Sequence, residues 1–323
     1  MPTDRYNESE FDLSSRRSID ILWPRTKALD GQRDVIVKYF YHRGQYWLAS
    51  IPLDRVANVY GQAFNFSRPK TRKTPEGPET IYDESGMPKR RLSSVNHLQC
   101  RFVLRDASPV KLYPLDAIPV KDSAITEEDA RRLDELEPAH LVTDLVYTIE
   151  AVGPPGITFG FWTGLRGQLL CTHRFISTEE MVFERIAVES QYVTESPALP
   201  ITKEEVNELF RKAILRSDQA GLNERYYLYR VCGTNNCTSN PFQILDRTVK
   251  YSFWNRLGSL LYRIPFNPRF YLRIRGLDAD PSYRRMLREE FADFVSDPET
   301  RKRRREYVRQ KIKQKRALQA STG

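Results

Sequence analysis

The chain is expected to fold as an α+β protein, and three observations predict that class. Stretches such as 97–104 (HLQCRFVL) alternate between two sets of side chains with the period of two that marks strands. Residues 202–214 instead carry an apolar stripe at helical spacing. The two kinds of segment are mixed without regular strand–helix–strand alternation, which points away from a parallel α/β sheet. With 323 residues, 40% of them hydrophobic, the chain has enough apolar material for a substantial core.

Taken in order, residues 1–30 are polar and mixed and read as a flexible N-terminal arm. DVIVKYF (34–40) and QYWLASI (45–51) are β-branched and aromatic runs around His42-Arg43-Gly44, hence two strands and a turn. Residues 67–91 are rich in Pro, Lys, Arg and Glu and read as a long exposed loop. In the strand that follows, Leu98, Cys100, Phe102 and Leu104 share one face and Gln99, Arg101 and Val103 the other. PVKLYPL (109–115) is its expected hairpin partner, and Thr126 the expected N-cap of a short helix. LVYTIEAV (145–152), ITFGFW (157–162) and QLLCTHRF (168–175) read as further strands. Thr202 and Glu205 form a capping-box pattern ahead of Val206, Leu209, Phe210, Ala213 and Ile214, the clearest helix in the chain. YYLYRV (226–231) looks extended, and a helix is expected through Phe242, Ile244, Leu245 and Val249. Residues 251–264 place Phe253, Trp254, Leu257, Leu260, Leu261 and Ile264 on one helical face, which serves either to close the core or to rest on a membrane. A helical stretch (282–295) and a cationic tail complete the chain. The domain reading is an arm at 1–30, an α+β domain at 31–265, and a helical, basic extension at 266–323.

The charge is localised. Of 51 Lys and Arg and 42 Asp and Glu, ten and one respectively fall in residues 301–316, which leaves 41 of each elsewhere. The body is therefore neutral, which argues against a basic nucleic-acid groove across the fold. The tail, with Arg301, Lys302, Arg303, Arg304 and Arg305 at its head, is a candidate contact for an anionic membrane surface or for nucleic acid. The start of the chain has no apolar signal region, and no window approaches the length of a spanning helix. The four scattered cysteines do not resemble a secreted disulfide framework. A cytoplasmic protein, peripheral to a membrane at most, is the expectation.

Among the cysteines, Cys100, Cys171 and Cys232 sit in or beside apolar runs and read as packing. Cys237 differs: it lies in GTNNCTSN (233–240), flanked by residues that favour turns and N-caps, and an apolar helical run follows. A thiol at a helix N-terminus is activated by unpaired N–H groups and the helix dipole, and the same N–H groups would stabilise an oxyanion. Pro241 is tolerated in a first turn and sets the helix start near Asn240. A nucleophilic thiol needs a base, and there are four histidines. His42 lies in a turn and is expected to be solvated, and His140 has no aligned partner. His97 opens a strand and His173 sits within one, and on position alone they stand level. Cys171, His173, Cys232 and Cys237 could together offer four zinc ligands, but their spacings fit no common finger, so no metal and no cofactor is expected.

The order of these features resembles the Lnb N-terminal periplasmic domain family, a circularly permuted, papain-like (NlpC-type) thiol superfamily. The resemblance spans about residues 93–250, roughly half the chain. It rests on HLQCRF (97–102), GFWTGLRGQLL (160–170), LPITKEEVNELF (199–210), YYLYRVCGTNNCTSN (226–240) and the pair Leu245-Asp246. It implies a permuted papain-like core in which an antiparallel sheet packs on a nucleophile-bearing helix. It also implies Cys237 as nucleophile and His97 as base, with His173 as the alternative base. Asn236, Asn96, Gln99 and Thr238 are the candidates for an orienting or oxyanion role. The expected activity is a thiol-dependent hydrolase or acyltransferase acting on an amide or ester of an acyl, peptide or lipid-like substrate. The alternative is a non-catalytic binding or scaffold protein that uses the basic tail to reach an anionic partner.

Overall fold

The computed structural model describes residues 11, 13–24, 29, 31–65, 70–75, 77–82, 89, 96–120, 124–154, 157, 160–230, 234–259, 268–278, 280, 283 and 285–321. Strand β1 (Asp20–Trp23) pairs antiparallel with β2 (Asp34–His42), and β2 forms a hairpin with β3 (Gln45–Pro52). The hairpin turns at Arg43 and Gly44, both at positive φ (49° and 82°), as a two-residue turn matching strand twist requires. β1 corrects the reading of residues 1–30 as wholly flexible. The neighbouring Ile19 N–H donates to Ser217 Oγ at 3.1 Å, and the Ile21 N–H of β1 donates to Asp218 Oδ1 at 2.7 Å. β4 (Val56–Asn65) follows. β5 (Thr71–Thr74) and β6 (Gly77–Thr80) then form a small separate hairpin within the stretch expected to be a loop.

β7 (Asn96–Leu104) is central. β8 (Val110–Tyr113) pairs with β3 and β9 (His140–Val142), and so is not the hairpin partner of β7. Between β8 and β9, α1 (Glu127–Glu135) opens at Thr126 as predicted, in a reciprocal capping box with Asp129. β10 (Asp144–Val152) leads to α2 (Phe161–Leu165), a helical turn where a strand was expected. Gly167 just after it has φ +64°, and a Cβ there would lie 2.3 Å from the Tyr227 ring, so only glycine fits. β11 (Leu169–Ser177) runs into α3 (Thr178–Val182), which continues as a π-helical turn at Phe183–Val188.

β12 (Val193–Ala198) precedes α4 (Lys203–Ala220), which has the predicted Thr202–Glu205 capping box and buries Val206, Leu209, Phe210, Ala213 and Ile214. The extended reading of 226–231 shrinks to β13 (Arg225–Tyr226), and α5 (Ser239–Asp246) starts one residue before the position Pro241 suggested. α6 (Phe253–Gly258) and α7 (Pro268–Arg273) flank residues 260–267, which lie outside the described residues together with Leu260, Leu261 and Ile264. β14 (Arg285–Met286), α8 (Leu287–Glu290) and α9 (Ala292–Ser296) divide the stretch expected as one helix. α10 (Pro298–Ser321) is the cationic tail.

The class is α+β, built on one large mixed sheet in the order β14-β12-β4-β7-β10-β11-β2-β3-β8-β9, with β1 on β2 and β13 on β11. The β11–β2 junction is parallel, with Ile176 opposite Tyr41. β3 and β4 are five places apart in this order, yet only residues 53–55 join them. Five flat strand spacings would span about 24 Å, whereas four Cα steps reach at most about 15 Å. The sheet must therefore curl. The main core lies on its inner face, where Val59, Phe102, Leu145, Phe175 and Val37 meet α4 and α5 through Phe210 and Phe242. A second cluster on the outer face joins Tyr41, Phe64, Val146 and Ile176 to Val182, Ile186 and Leu287.

Candidate active site

Cys237 lies two residues before the first residue of α5, as the polar motif predicted. The N-terminus it precedes is already occupied. Asn236 Oδ1 accepts the N–H groups of Thr238 (2.8 Å) and Ser239 (2.7 Å), while its Nδ2 donates to the Leu228 carbonyl at 2.8 Å. Asn236 is thus the side-chain cap of α5, and Thr238 makes no side-chain cap bond. Asn236 Oδ1 thus occupies the Thr238 and Ser239 N–H groups in this state, which closes those two donors to an oxyanion.

The Cys237 sulfur sits against the backbone of β7, between the Asn96 carbonyl (4.0 Å) and the Leu98 N–H. β7 and β10 pair only as far as Gln99 opposite Thr148, so the sulfur reaches backbone that the ladder leaves free. Tyr226 Oη–H donates to the sulfur at 3.7 Å. Cys237 is 2% exposed and belongs to the inner core. Burial pushes its thiol pKa up, and the Leu98 N–H and Tyr226 offset this only in part.

His97 opens β7 as predicted, but its ring turns to the outer face, as alternation with Leu98 dictates. There it stacks on Phe64 with ring centroids 4.4 Å apart, and Nε2 pairs with Thr148 Oγ1 at 2.7 Å. Burial drives its pKa down to about 3, against the opposing pull of Glu150. Among the described residues, the Cys237 sulfur meets Tyr226 Oη, the Asn96 carbonyl and the Leu98 N–H, not the His97 ring. Asn96 contributes its carbonyl here. Gln99 faces outward and donates to Gln62 Oε1 at 2.7 Å, away from the thiol.

The alternative base, His173, faces inward from β11, fully buried, with Cys171 two residues away on the same face. Its Nε2 lies 3.7 Å from Cys171 Sγ, and its Nδ1 meets Tyr147 Oη at 2.6 Å. Cys171 Sγ–H points to Asn235 Oδ1 at 3.6 Å, and Asn235 Nδ2 donates to Glu224 Oε2 at 2.8 Å. The cysteine and histidine that the structure brings into contact are therefore Cys171 and His173, which the sequence reading grouped only as possible zinc ligands. Burial holds both neutral: the thiol pKa rises and the imidazole pKa falls, each well beyond its usual range. Ligand atoms of Cys171, His173 and Glu224 lie within 4.8 Å of one another, but both oxygens of Glu224 are taken by Arg216 at 2.6 Å. A cation bound there would have to displace that guanidinium. Cys232 lies outside the described residues.

The other two histidines also differ from expectation. His42 is buried, with Nδ1 2.7 Å from Ser177 Oγ, because the turn it was assigned to begins at Arg43. His140 packs edge-on against His42 and Trp47.

Sequence reasoning missed the outer-face charges. Arg101 bridges Asp144 (2.5 Å), Glu195 (3.0 Å) and Glu290 (2.7 Å). Arg174 pairs with Glu184 at 3.0 Å, and Arg185 pairs with Glu150. The available signal was charge placed within otherwise apolar strands, at Arg101, Glu150 and Arg174, all on one alternating face. This network ends at Glu180, which Arg303 of α10 grips at 2.6 Å while stacking over Phe183. Beyond Arg303, the side chains of Arg301, Lys302, Arg304, Arg305 and Arg309 are exposed and have no ion pair among the described residues. No helix in the described residues is long and apolar enough to cross a membrane. Comparison with protein-family models, curated proteins and solved structures finds no match to this chain.

Proposed function

We propose that the protein is a non-catalytic binding protein that uses its permuted papain-like core as a scaffold and docks on an anionic membrane surface through α10. The observation that carries this reading is the cationic helix itself. It spans 24 residues, is fastened to the body by Arg303, and presents Arg301, Lys302, Arg304, Arg305 and Arg309 to solvent. Each such cation near an anionic leaflet contributes about 1 kcal/mol, falling off within a Debye length. The neutral body makes the helix the dominant electrostatic feature, and a membrane contact needs no basic groove elsewhere. Co-sedimentation with phosphatidylcholine vesicles, with and without phosphatidylserine, tests the reading. Binding should require phosphatidylserine, fall with added salt, and drop in an Arg301→Glu/Arg305→Glu variant. Equal binding to neutral vesicles, or tighter binding to a nucleic-acid duplex, would overturn it.

The thiol hydrolase or acyltransferase is the second reading, favoured by one feature. The Cys237 sulfur precedes a helix and touches the strand backbone on both sides of His97. In that reading His97 takes the thiol proton as Cys237 attacks an amide or ester carbonyl and gives it to the amine or alcohol that departs as the C–N or C–O bond breaks; the acyl group then passes from sulfur to water or an amine, and the thiol is regenerated. It requires opening, because thiolate and imidazolium are both disfavoured in the sealed state. Iodoacetamide labelling at neutral pH decides. Faster labelling of Cys237 than of Cys100 and Cys171, lost in His97→Ala, supports the enzyme, whereas uniformly slow labelling in the folded state counts against it.

A further inference from the structure

On the outer face, a cavity of about 480 Å³ opens between the π-helical turn, α8, α9 and the first turns of α10. Its cationic wall is Arg288, Arg301 and Arg304, and Ala187 and Val295 are among its apolar lining. Among the described residues no carboxylate lines it, and none of the three guanidiniums has an ion-pair partner. By contrast, the buried guanidiniums of Arg101, Arg174, Arg185 and Arg275, and Arg303 on α10 itself, all hold carboxylates. Three like charges lining one concave space repel each other, and an anion among them relieves that repulsion. A guanidinium offers paired N–H donors that match phosphate oxygens, and a phosphomonoester brings up to two charges and three acceptor oxygens.

We infer that this cavity binds a phosphomonoester group, with the apolar lining receiving the carbon skeleton beside it. The inference rests on the membrane reading only for the source of that group, which is either a lipid headgroup or a soluble phosphate ester. Arg288 lies on α8, so replacing it alters the cavity and leaves the charge of α10 unchanged. Arg305 lies on α10 outside the cavity, so replacing it does the reverse.

Calorimetric titration of the full chain with inorganic phosphate and glycerol 3-phosphate, with the diester glycerophosphocholine as control, tests this. Binding of inorganic phosphate and of the monoester, but not of the diester, is expected. Arg288→Gln and Arg304→Gln should each weaken it roughly ten- to hundredfold, while Arg305→Gln retains it, with thermal melts confirming that the variants fold. On vesicles matched for surface potential, a lipid source predicts a preference for phosphatidic acid over phosphatidylserine that Arg288→Gln removes without lowering phosphatidylserine binding. Monoester binding without that preference assigns the cavity to a soluble ester. No monoester binding, or equal affinity in Arg288→Gln, overturns the inference and leaves the membrane reading standing. Lost phosphatidylserine binding with retained phosphate binding does the opposite.

Discussion

Cys237 packs in the inner core, while the His97 ring stacks on Phe64 on the outer face of the same sheet. GTNNCTSN could be read as a pre-helical turn because its residue types have few other uses, but the opposed facing of His97 depends on which strand face is buried against what. That is a tertiary fact, and period-two alternation leaves it open. The same burial has a pH consequence. Burial pushes His97 down to about 3 and His42 also to about 3. In the unfolded chain both protonate near pH 6.5, so between those values the unfolded state binds protons that the folded state refuses. Stability present above pH 6.5 is lost as pH falls, by up to about 1.4 kcal/mol per unit for each histidine. Glu180 acts in the opposite sense. Burial lifts it to about 7, so its contribution is lost as pH rises from about 4.5. The buried histidines, His173 among them, outweigh this glutamate, and thermal melts should show a midpoint that drops between pH 6.5 and 5. His97→Gln should flatten that drop; an unchanged slope would mean that the imidazole is not held neutral.

Among the elements, α4 was legible to its first residue because its cap, its stripe and its length are all local properties. α2, the α3–π segment and the division of 282–295 were not, since each is fixed by what it packs on. Two caps show the difference in energy. Thr202 caps α4 at an exposed site, and Thr202→Ala should cost about 1 kcal/mol. Asn236 is fully buried and makes three hydrogen bonds, so Asn236→Ala strands two N–H groups and a carbonyl and should cost about 2–4 kcal/mol. Urea denaturation of the two variants measures both, and equal losses would refute the assignment of Asn236 as a structural cap.

For the molecule as a whole, the tail could be recognised from charge alone, but not where it docks. α7 packs on the inner-face core through Tyr271 and Leu272, and α6 lies beside it, its Gly258 against Ile274. α10 meets the outer-face elements through Phe183 and Glu180. α6 with α7 and the cationic helix therefore lie against opposite faces of the sheet, so the tail does not reinforce a membrane contact made by Phe253 and Trp254. Those two side chains remain 72% and 75% exposed. Arg303 is the pin that holds α10, so Arg303→Met should speed tryptic cleavage within 298–321 while the body resists; an unchanged rate would show that other contacts suffice. The short link at 53–55 has a different kind of consequence. It acts as a drawstring: the sheet stays rolled because the backbone between β3 and β4 is too short to let it lie flat. Spliced-in glycine and serine residues would slacken it by a chosen amount. The interior thiols Cys171 and Cys237 should then become reagent-accessible in step with the inserted length, turning curvature into something a mass spectrometer can read.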